Sequence, residues 1–312
     1  MSERMHTQPI IQIHRVRKAF DEHHVLKNVS FAVEKGSVHG LIGLSGAGKS
    51  TLLNCLVGYY EIDAGRILID REDHKKAVKT RIGFTTQNNC FYEDLTLWDN
   101  IKYFGDLYSV PRDTLKKRAK YLLNIVELSD ALHTRATNLS GGMKRRFDLV
   151  LSLLHKPDIL ILDEPATGLD PMLRRKIWFI VKYINNLGVT TIISSHLLND
   201  LEELCDNISL LHNGTIISSG SPSELRDLFS HHHQIRVQTA PGNYKKVLKT
   251  LKQTGLKIHN PRRDAGKFVF ITKHPDLLLR VLHNVLEATD ERIVDFSIQK
   301  PGLEDLMEKV AS

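Results

Sequence analysis

The sequence predicts an α/β fold organised around a parallel core sheet, followed by a smaller α+β unit. Three observations predict it. Short apolar strands alternate with amphipathic helical patterns through residues 8–230. Three of those strands are apolar almost without interruption, as strands buried on both faces are. After residue 231 a second, shorter alternation begins.

The strands expected in the first region are Ile11–Val16, Val29–Val33, Val38–Ile42, Ile67–Ile69, Ile82–Thr86, Ile159–Leu162, Thr190–Ser194, Ile208–Leu211 and Thr215–Ser218. Val38–Ile42, Ile159–Leu162 and Thr190–Ser194 each adjoin a helical pattern and read as central parallel strands. The early strands and the His212-Asn213-Gly214 turn point to an additional antiparallel sheet. Chemistry is then expected at the carboxyl ends of the parallel strands. Ser221 caps a helix over Ser221–Phe229 with Pro222 at its first position. His231-His232-His233 then reads as a polar linker rather than a metal site, because no further ligand spacing accompanies it.

Two domains follow, 8–230 and 231–312. In the second, Ile235 and Val237 alternate with polar residues as in a half-buried strand. Tyr244, Val247, Leu248 and Leu251 mark one helix face, and Leu278, Val281, Leu282 and Val285 another. Strands near Lys257–Asn260, Lys267–Thr272 and Ile293–Ile298 complete a βαββαβ order, with a last helix at Pro301–Val310. A ferredoxin-like sandwich is the simplest arrangement of that order.

Composition excludes several classes. The apolar and charged fractions, 41% and 25%, are those of a globular protein. No stretch approaches the ~18 apolar residues of a membrane helix, and Met1–Ile10 lacks the apolar core of a signal peptide. Cys55, Cys90 and Cys205 are far apart and form no C-x-x-C pair, which argues against a disulfide framework or structural zinc and fits a reducing compartment. The net charge of +7 is concentrated in residues 231–312, which hold 14 Lys/Arg against 9 Asp/Glu. Such an excess can face nucleic acid or an anionic membrane, but is more often a solvated face.

The strongest local motif is Gly43-Leu44-Ser45-Gly46-Ala47-Gly48-Lys49-Ser50-Thr51, which satisfies G-x-x-x-x-G-K-[ST] between a strand and the helical run Thr51–Val57. Glycines let the backbone curl around phosphate oxygens, and the helix behind adds its positive dipole end. Lys49 is suited to bridge β- and γ-phosphates, and Ser50 to place a hydroxyl on Mg²⁺. ATP is the expected ligand. Its partner motif is Ile159-Leu160-Ile161-Leu162-Asp163-Glu164, a buried strand that emerges on two carboxylates. Asp163 is placed to hold Mg²⁺ and Glu164 to polarise the attacking water as general base. His196, 32 residues beyond Glu164, ends a neighbouring core strand and is suited to donate to the γ-phosphate.

Leu139-Ser140-Gly141-Gly142-Met143 lies between these motifs and opens a helix with Phe147, Val150, Leu151 and Leu154 on its apolar face. By itself it is a helix start capped by Ser140. The order of phosphate-binding loop, Gln87, L-S-G-G, I-L-I-L-D-E, Gly168-Leu169-Asp170 and His196 resembles the nucleotide-binding domain of ABC transporters, over residues 8–230.

That resemblance implies a P-loop NTPase fold of the ABC type, with a parallel core sheet, an antiparallel β subdomain and a helical signature subdomain. It implies that Phe20 stacks on adenine and that Gln87, in the Q-loop, reaches Mg²⁺ or the lytic water. Ser140, Gly141 and Gly142 then touch the γ-phosphate of an opposite subunit, and Asp170 lies at the dimer seam. A head-to-tail homodimer follows, and pairing with a related chain remains open. An integral membrane permease is the expected partner, contacted near Phe91–Asn100, and the cytoplasmic face of the plasma membrane is the expected location.

Met143 stands where many members have Gln. The form Met143-Lys144-Arg145-Arg146 resembles the drug-, polysaccharide- and lipid-exporting branches. Ala166 replaces a frequent Ser or Thr, a change expected to be neutral, and Gly302–Met307 resembles the ending of many exporter ATPases. Nucleic acid is not an expected partner: Lys49 to Ser140 spans 91 residues, too few for the coiled-coil insertion of DNA-repair relatives, and ribosome-associated relatives usually carry two such domains.

Overall fold

The computed structural model describes residues 8–196, 198–227, 233–254, 259–264 and 266–299. The expected last helix, Pro301–Val310, lies outside the described residues, as do Phe229, His231 and His232. The chain divides into two compact units between Pro222 and Ser223, inside the stretch expected as a single helix and ahead of the 230/231 boundary read from the sequence.

In chain order the first unit begins with β1 (Pro9–Phe20), β2 (His23–Glu34) and β3 (Val38–Ile42), then α1 (Lys49–Leu56), β4 (Ala64–Ile69), β5 (Glu72–Asp73), α2 (His74–Arg81) and β6 (Ile82–Thr85). Three helices come next, α3 (Leu97–Leu107), α4 (Arg112–Ile125) and α5 (Gly141–Leu153). The unit continues through β7 (Ile159–Asp163), α6 (Pro171–Asn186), β8 (Thr190–Ser195), α7 (Leu198–Glu202), β9 (Asn207–His212) and β10 (Thr215–Gly220).

A six-stranded sheet runs β10-β9-β3-β8-β7-β6. All its pairs are parallel except β9–β10, the hairpin closed by Asn213-Gly214. Every residue of β3, β7 and β8 is buried, which explains why these segments carry no alternating pattern. A second sheet, β2-β1-β4-β5, is antiparallel. Its Ile11, Ile13, Val29 and Ile67 share one apolar core with Leu41, Ile161 and Ile192 of the parallel layer and Leu53 of α1. The topology puts the ends of β3, β6, β7 and β8 on one edge, and every candidate catalytic residue follows one of these strands.

Helices start where the sequence supplies caps. Thr96 accepts from Asp99 N at the head of α3, Ser140 from Met143 N at the head of α5, and Asp170 from both Met172 N and Leu173 N before Pro171 opens α6. Cys55 and Cys205 are buried and Cys90 is exposed, all as free thiols, and burial pushes the Cys55 thiol up to about 11.

α8 (Pro222–Asp227) precedes β11 (His233–Ala240), α9 (Tyr244–Gln253), β12 (His259–Asp264), β13 (Lys267–Thr272), α10 (Pro275–Thr289) and β14 (Arg292–Gln299). The sheet order β12-β13-β11-β14 is antiparallel throughout, the order of a ferredoxin-like sandwich. Ile235, Val237, Phe268 and Phe270 form its core with Val247 and Leu251 of α9 and Leu278 and Leu282 of α10. His233 is not linker: it opens β11 opposite Thr272. The strand expected near Lys257–Asn260 is described as His259–Asp264, because its pairing partner, the Lys267–Thr272 strand, sets its register.

Candidate nucleotide-binding and catalytic site

β3 delivers the chain to Gly43 and α1 takes it up at Lys49. Between them lie Leu44, Ser45, Gly46 and Ala47, with Leu44, Ser45 and Gly46 exposed. A Cβ on Gly43 would stand 2.5 Å from Leu211 O of the adjacent β9, so no side chain fits there. Gly48 holds φ +104 at the N-cap of α1, a conformation L side chains rarely adopt. This loop and the α1 N-terminus together make an anion site. Ser50 and Thr51, partly buried in the first turn of α1, border it.

Lys49 is buried at 5% exposure. Its Nζ donates to Gly43 O at 2.8 Å and to Leu44 O at 3.3 Å, and pairs with Glu164 Oε1 at 3.2 Å. An ammonium so enclosed by acceptors is ready to exchange one of them for a phosphate oxygen.

The acidic strand end is equally constrained. Asp163 closes β7, and its Oδ1 accepts from Ser194 Oγ at 2.5 Å on the neighbouring β8. The same hydroxyl accepts from Glu164 N at 2.9 Å. Glu164 sits at φ 49, in the left-handed region, which costs a non-glycine residue about 1–3 kcal/mol. That turn carries its carboxylate back toward the phosphate-binding loop. Oε1 meets Lys49, while Oε2 accepts from Thr167 Oγ1 at 2.7 Å and lies 2.7 Å from His196 Nδ1. Burial raises the Glu164 pKa, but the Thr167 bond, the Lys49 charge and the His196 bond outweigh it and hold the carboxyl below its ordinary value.

An ionised carboxylate only accepts, so Nδ1 of His196 carries the proton toward Glu164. Donation from His196 to a phosphate therefore falls to Nε2 and requires the imidazolium, a condition the sequence reading of His196 as a donor did not include.

Ser140, Gly141 and Gly142 form the N-terminus of α5. Among the described residues no hydrogen bond joins them to the phosphate-binding loop of the same chain. A Cβ on Gly142 would lie 2.7 Å from Leu173 Cδ1, so this glycine lets α5 and α6 approach, and Asp170 caps the α6 end beside it. The three basic residues after Met143 have separate duties. Lys144 pairs with Glu93 at 2.7 Å, Arg146 Nη1 donates to Val126 O at 2.6 Å, and Arg145 reaches the backbone at Gln87. Gln87 itself is exposed two residues beyond β6. Phe20, 39% exposed at the end of β1, packs edge-on against Tyr60 at 5.0 Å, and the Lys18 ammonium stands 5.2 Å from its ring centre.

The fold thus brings Lys49, Asp163, Glu164 and His196 together. Sequence reasoning missed three supporting groups, Ser194, Thr167 and Arg145. Thr167 had the clearer signal, three residues after Glu164; Ser194 reads only as another buried strand residue, and its partners belong to a different strand.

The ABC transporter family matches residues 26–167. The linearmycin resistance ATP-binding protein of Bacillus subtilis (strain 168) is 36% identical over 69% of this chain and 70% of its own length. A daunorubicin resistance ATP-binding protein of Streptomyces coeruleorubidus is 31% identical over 95% of this chain and 94% of its own, a match that extends through the second unit. Among solved structures, an ATP-binding subunit of an ABC transporter superposes with TM-score 0.65 at 28% identity, over 70% of this chain and 93% of that one. A dimeric, post-hydrolysis ATP-binding cassette bound to ADP and phosphate superposes with TM-score 0.62 at 25% identity, over 68% of this chain and 98% of that one. With a phosphate-binding loop, an acidic strand end and a signature helix arranged on one edge of a parallel sheet, the chain belongs to the ABC transporter family as one of its ATP-binding, ATP-hydrolysing subunits.

Proposed function

We propose that this chain powers export through a separate integral membrane permease, working as a head-to-tail dimer at the cytoplasmic face of the plasma membrane. The observation that carries the reading is the convergence of Lys49 and His196 on Glu164 beside the phosphate-binding loop. Two similar proteins bear on direction: one carries the name Nod factor export ATP-binding protein I and another is a drug resistance ATP-binding protein.

In this reading, Gly43, Leu44, Ser45, Gly46, Ala47 and Gly48 wrap the phosphates and Lys49 bridges the β- and γ-groups. Ser50 and Thr51 complete the rim, and Phe20 stacks on the adenine. Ser50, Asp163 and Gln87 supply hydroxyl, carboxylate and amide oxygens, a donor set that fits Mg²⁺. A Mg²⁺ held by these residues would neutralise charge on the transferring phosphoryl group. Once a γ-phosphate draws Lys49 away, Glu164 is left with Thr167 and His196 and can accept a proton from the attacking water. His196, on the far side of the Glu164 carboxylate, is the group placed to donate to the charge that develops.

Ser140, Gly141 and Gly142 make the N-terminus of α5 a second anion-binding helix end besides the phosphate-binding loop, suited to the nucleotide of a second copy facing it, with Asp170 at the joint. ATP then stabilises a closed dimer through contacts made only there, and hydrolysis removes them. A groove of about 720 Å³ lined by Val57, Tyr59, Phe84, Thr86 and Tyr108 borders the segment that leads to Gln87 and suits a permease helix. Among the described residues no helix is long and apolar enough to cross a membrane. Selectivity for the exported compound then resides in the permease.

The test is purification of the native protein from gently solubilised membranes, with ATPase assay of what is recovered. A multi-span protein should co-purify, and hydrolysis should disappear in a Glu164→Gln variant. Recovery with RNA or DNA and no membrane partner would overturn the reading.

A further inference from the structure

The signature helix and the Q-loop of the same chain are clasped at the backbone. Arg145, one turn into α5, donates from Nη1 to Thr86 O at 2.9 Å and from Nη2 to Gln87 O. Its side chain is only 12% exposed and its guanidinium forks across two successive carbonyls, a geometry a planar bidentate donor satisfies and a single ammonium does not. Asp148, one turn further on, accepts from Cys90 N at 3.3 Å with Oδ1, and its Oδ2 stands 3.8 Å from Arg145 Nη1. One helix edge therefore holds the loop on both sides of Asn88 and Asn89.

The contact beneath is close-packed. A Cβ on Gly83 of β6 would lie 2.1 Å from Ser152 O, so only glycine lets strand and helix approach this closely. Phe91 packs edge-on against Phe147 at 5.2 Å, and both rings are buried. Between this packed helix and the Gln87 backbone, Arg145 is the side chain that makes the direct link. The helix begins at Ser140, whose hydroxyl caps it.

We propose that Arg145 is a positioning residue that sets the backbone of Gln87 and links its position to the Ser140 end of the signature helix. This inference rests on Gln87 and Ser140 serving nucleotide, as proposed above. It assigns Arg145 no contact with ATP. Gln87 meets the nucleotide of its own chain and Ser140 that of the opposite chain, so the clasp ties one site to the other.

The experiment uses the full chain and three variants, Arg145→Ala, Arg145→Lys and Gln87→Ala, with Arg145→Ala also made in the Gln87→Ala background. Arg145→Ala should lower kcat about tenfold while binding of a fluorescent ATP analogue changes less than about twofold, the size of effect expected when an oriented group is misplaced. Arg145→Lys should recover only part of the loss. In the Gln87→Ala background, Arg145→Ala should cost less than about twofold further, because the two residues act in series. Unchanged kcat in Arg145→Ala overturns the proposal. So does a full tenfold further loss in the Gln87→Ala background, or a loss of kcat that merely follows a fall in melting temperature. If Glu164→Gln abolishes turnover while Arg145→Ala does not affect it, the clasp alone fails and the assignment of the base stands.

Discussion

Two carboxylates of the first unit, each withdrawn from solvent, behave in opposite ways. Glu164, at the end of β7, has Lys49, Thr167 and His196 as partners, and they hold its pKa down against burial. Asp148, on α5, is 4% exposed, and burial pushes it up to about 7; the Cys90 N–H and the Arg145 charge offset only part of that cost. Among the described residues its Oδ2 has no hydrogen-bond partner. Burial alone therefore does not set the charge of a carboxylate; the partners that enter with it do. Glu164 is kept ionised, as a general base requires, whereas Asp148 titrates close to neutral pH at the joint between α5 and the loop after β6.

Four substitutions break or sharpen this contrast. The largest effect belongs to Glu164→Gln, which keeps the shape and removes the base. Steady-state ATPase assays should show kcat lower by about 10²–10⁴-fold with ATP binding retained, and size-exclusion chromatography should show an ATP-trapped dimer. Normal turnover would remove Glu164 from the role of base. Lys49→Ala comes next. It deletes a charge-assisted contact to phosphate worth about 1.5–3 kcal/mol, so ATP affinity by calorimetry should fall at least tenfold. It also strips Glu164 of its cation.

Asp148→Asn addresses the other carboxylate. A folded pKa near 7, above the ordinary 3.8, means the folded state holds a proton the unfolded state has lost. Stability then falls as pH rises from about 4 and the loss continues until pH passes about 7. Between pH 6 and 8 the wild type should lose about 1.4 kcal/mol relative to Asp148→Asn, measured by urea unfolding at both pH values. A constant difference would show that Asp148 does not titrate there. The smallest effect is that of Thr167→Ala, which removes one hydrogen bond to Glu164. It should lower kcat about two- to fivefold and move the acid limb of the pH–rate profile upward, since a partner that favours the ionised form is gone.

The legibility of this protein varies along the chain for a physical reason. Gly43 through Thr51 could be read directly, because a loop that must wrap phosphate needs glycines and a lysine at fixed local spacing. β3, β7 and β8 were equally plain, since burial on both faces leaves an unbroken apolar run. The helices α3 and α4 were harder: they pack as part of a helical layer, and no motif marks them. The ferredoxin-like order of the second unit was readable from alternation alone, but its starting point was not. His233 looks like linker until its pairing with Thr272 makes it strand.

By itself the sequence determined which groups could do chemistry: the phosphate-binding loop, Asp163 and Glu164 at a strand end, and Ser140 at a helix start. Local physics specifies all of these through loop curvature, strand burial and helix capping. Only the tertiary structure decided that Glu164 turns through a left-handed backbone to meet Lys49, Thr167 and His196. It alone decided that Ser194 holds both acidic residues, and that Arg145 grips the carbonyls of Thr86 and Gln87. Those contacts join residues from different strands and helices. Their distances depend on how whole elements pack, and no local pattern of residue types encodes that.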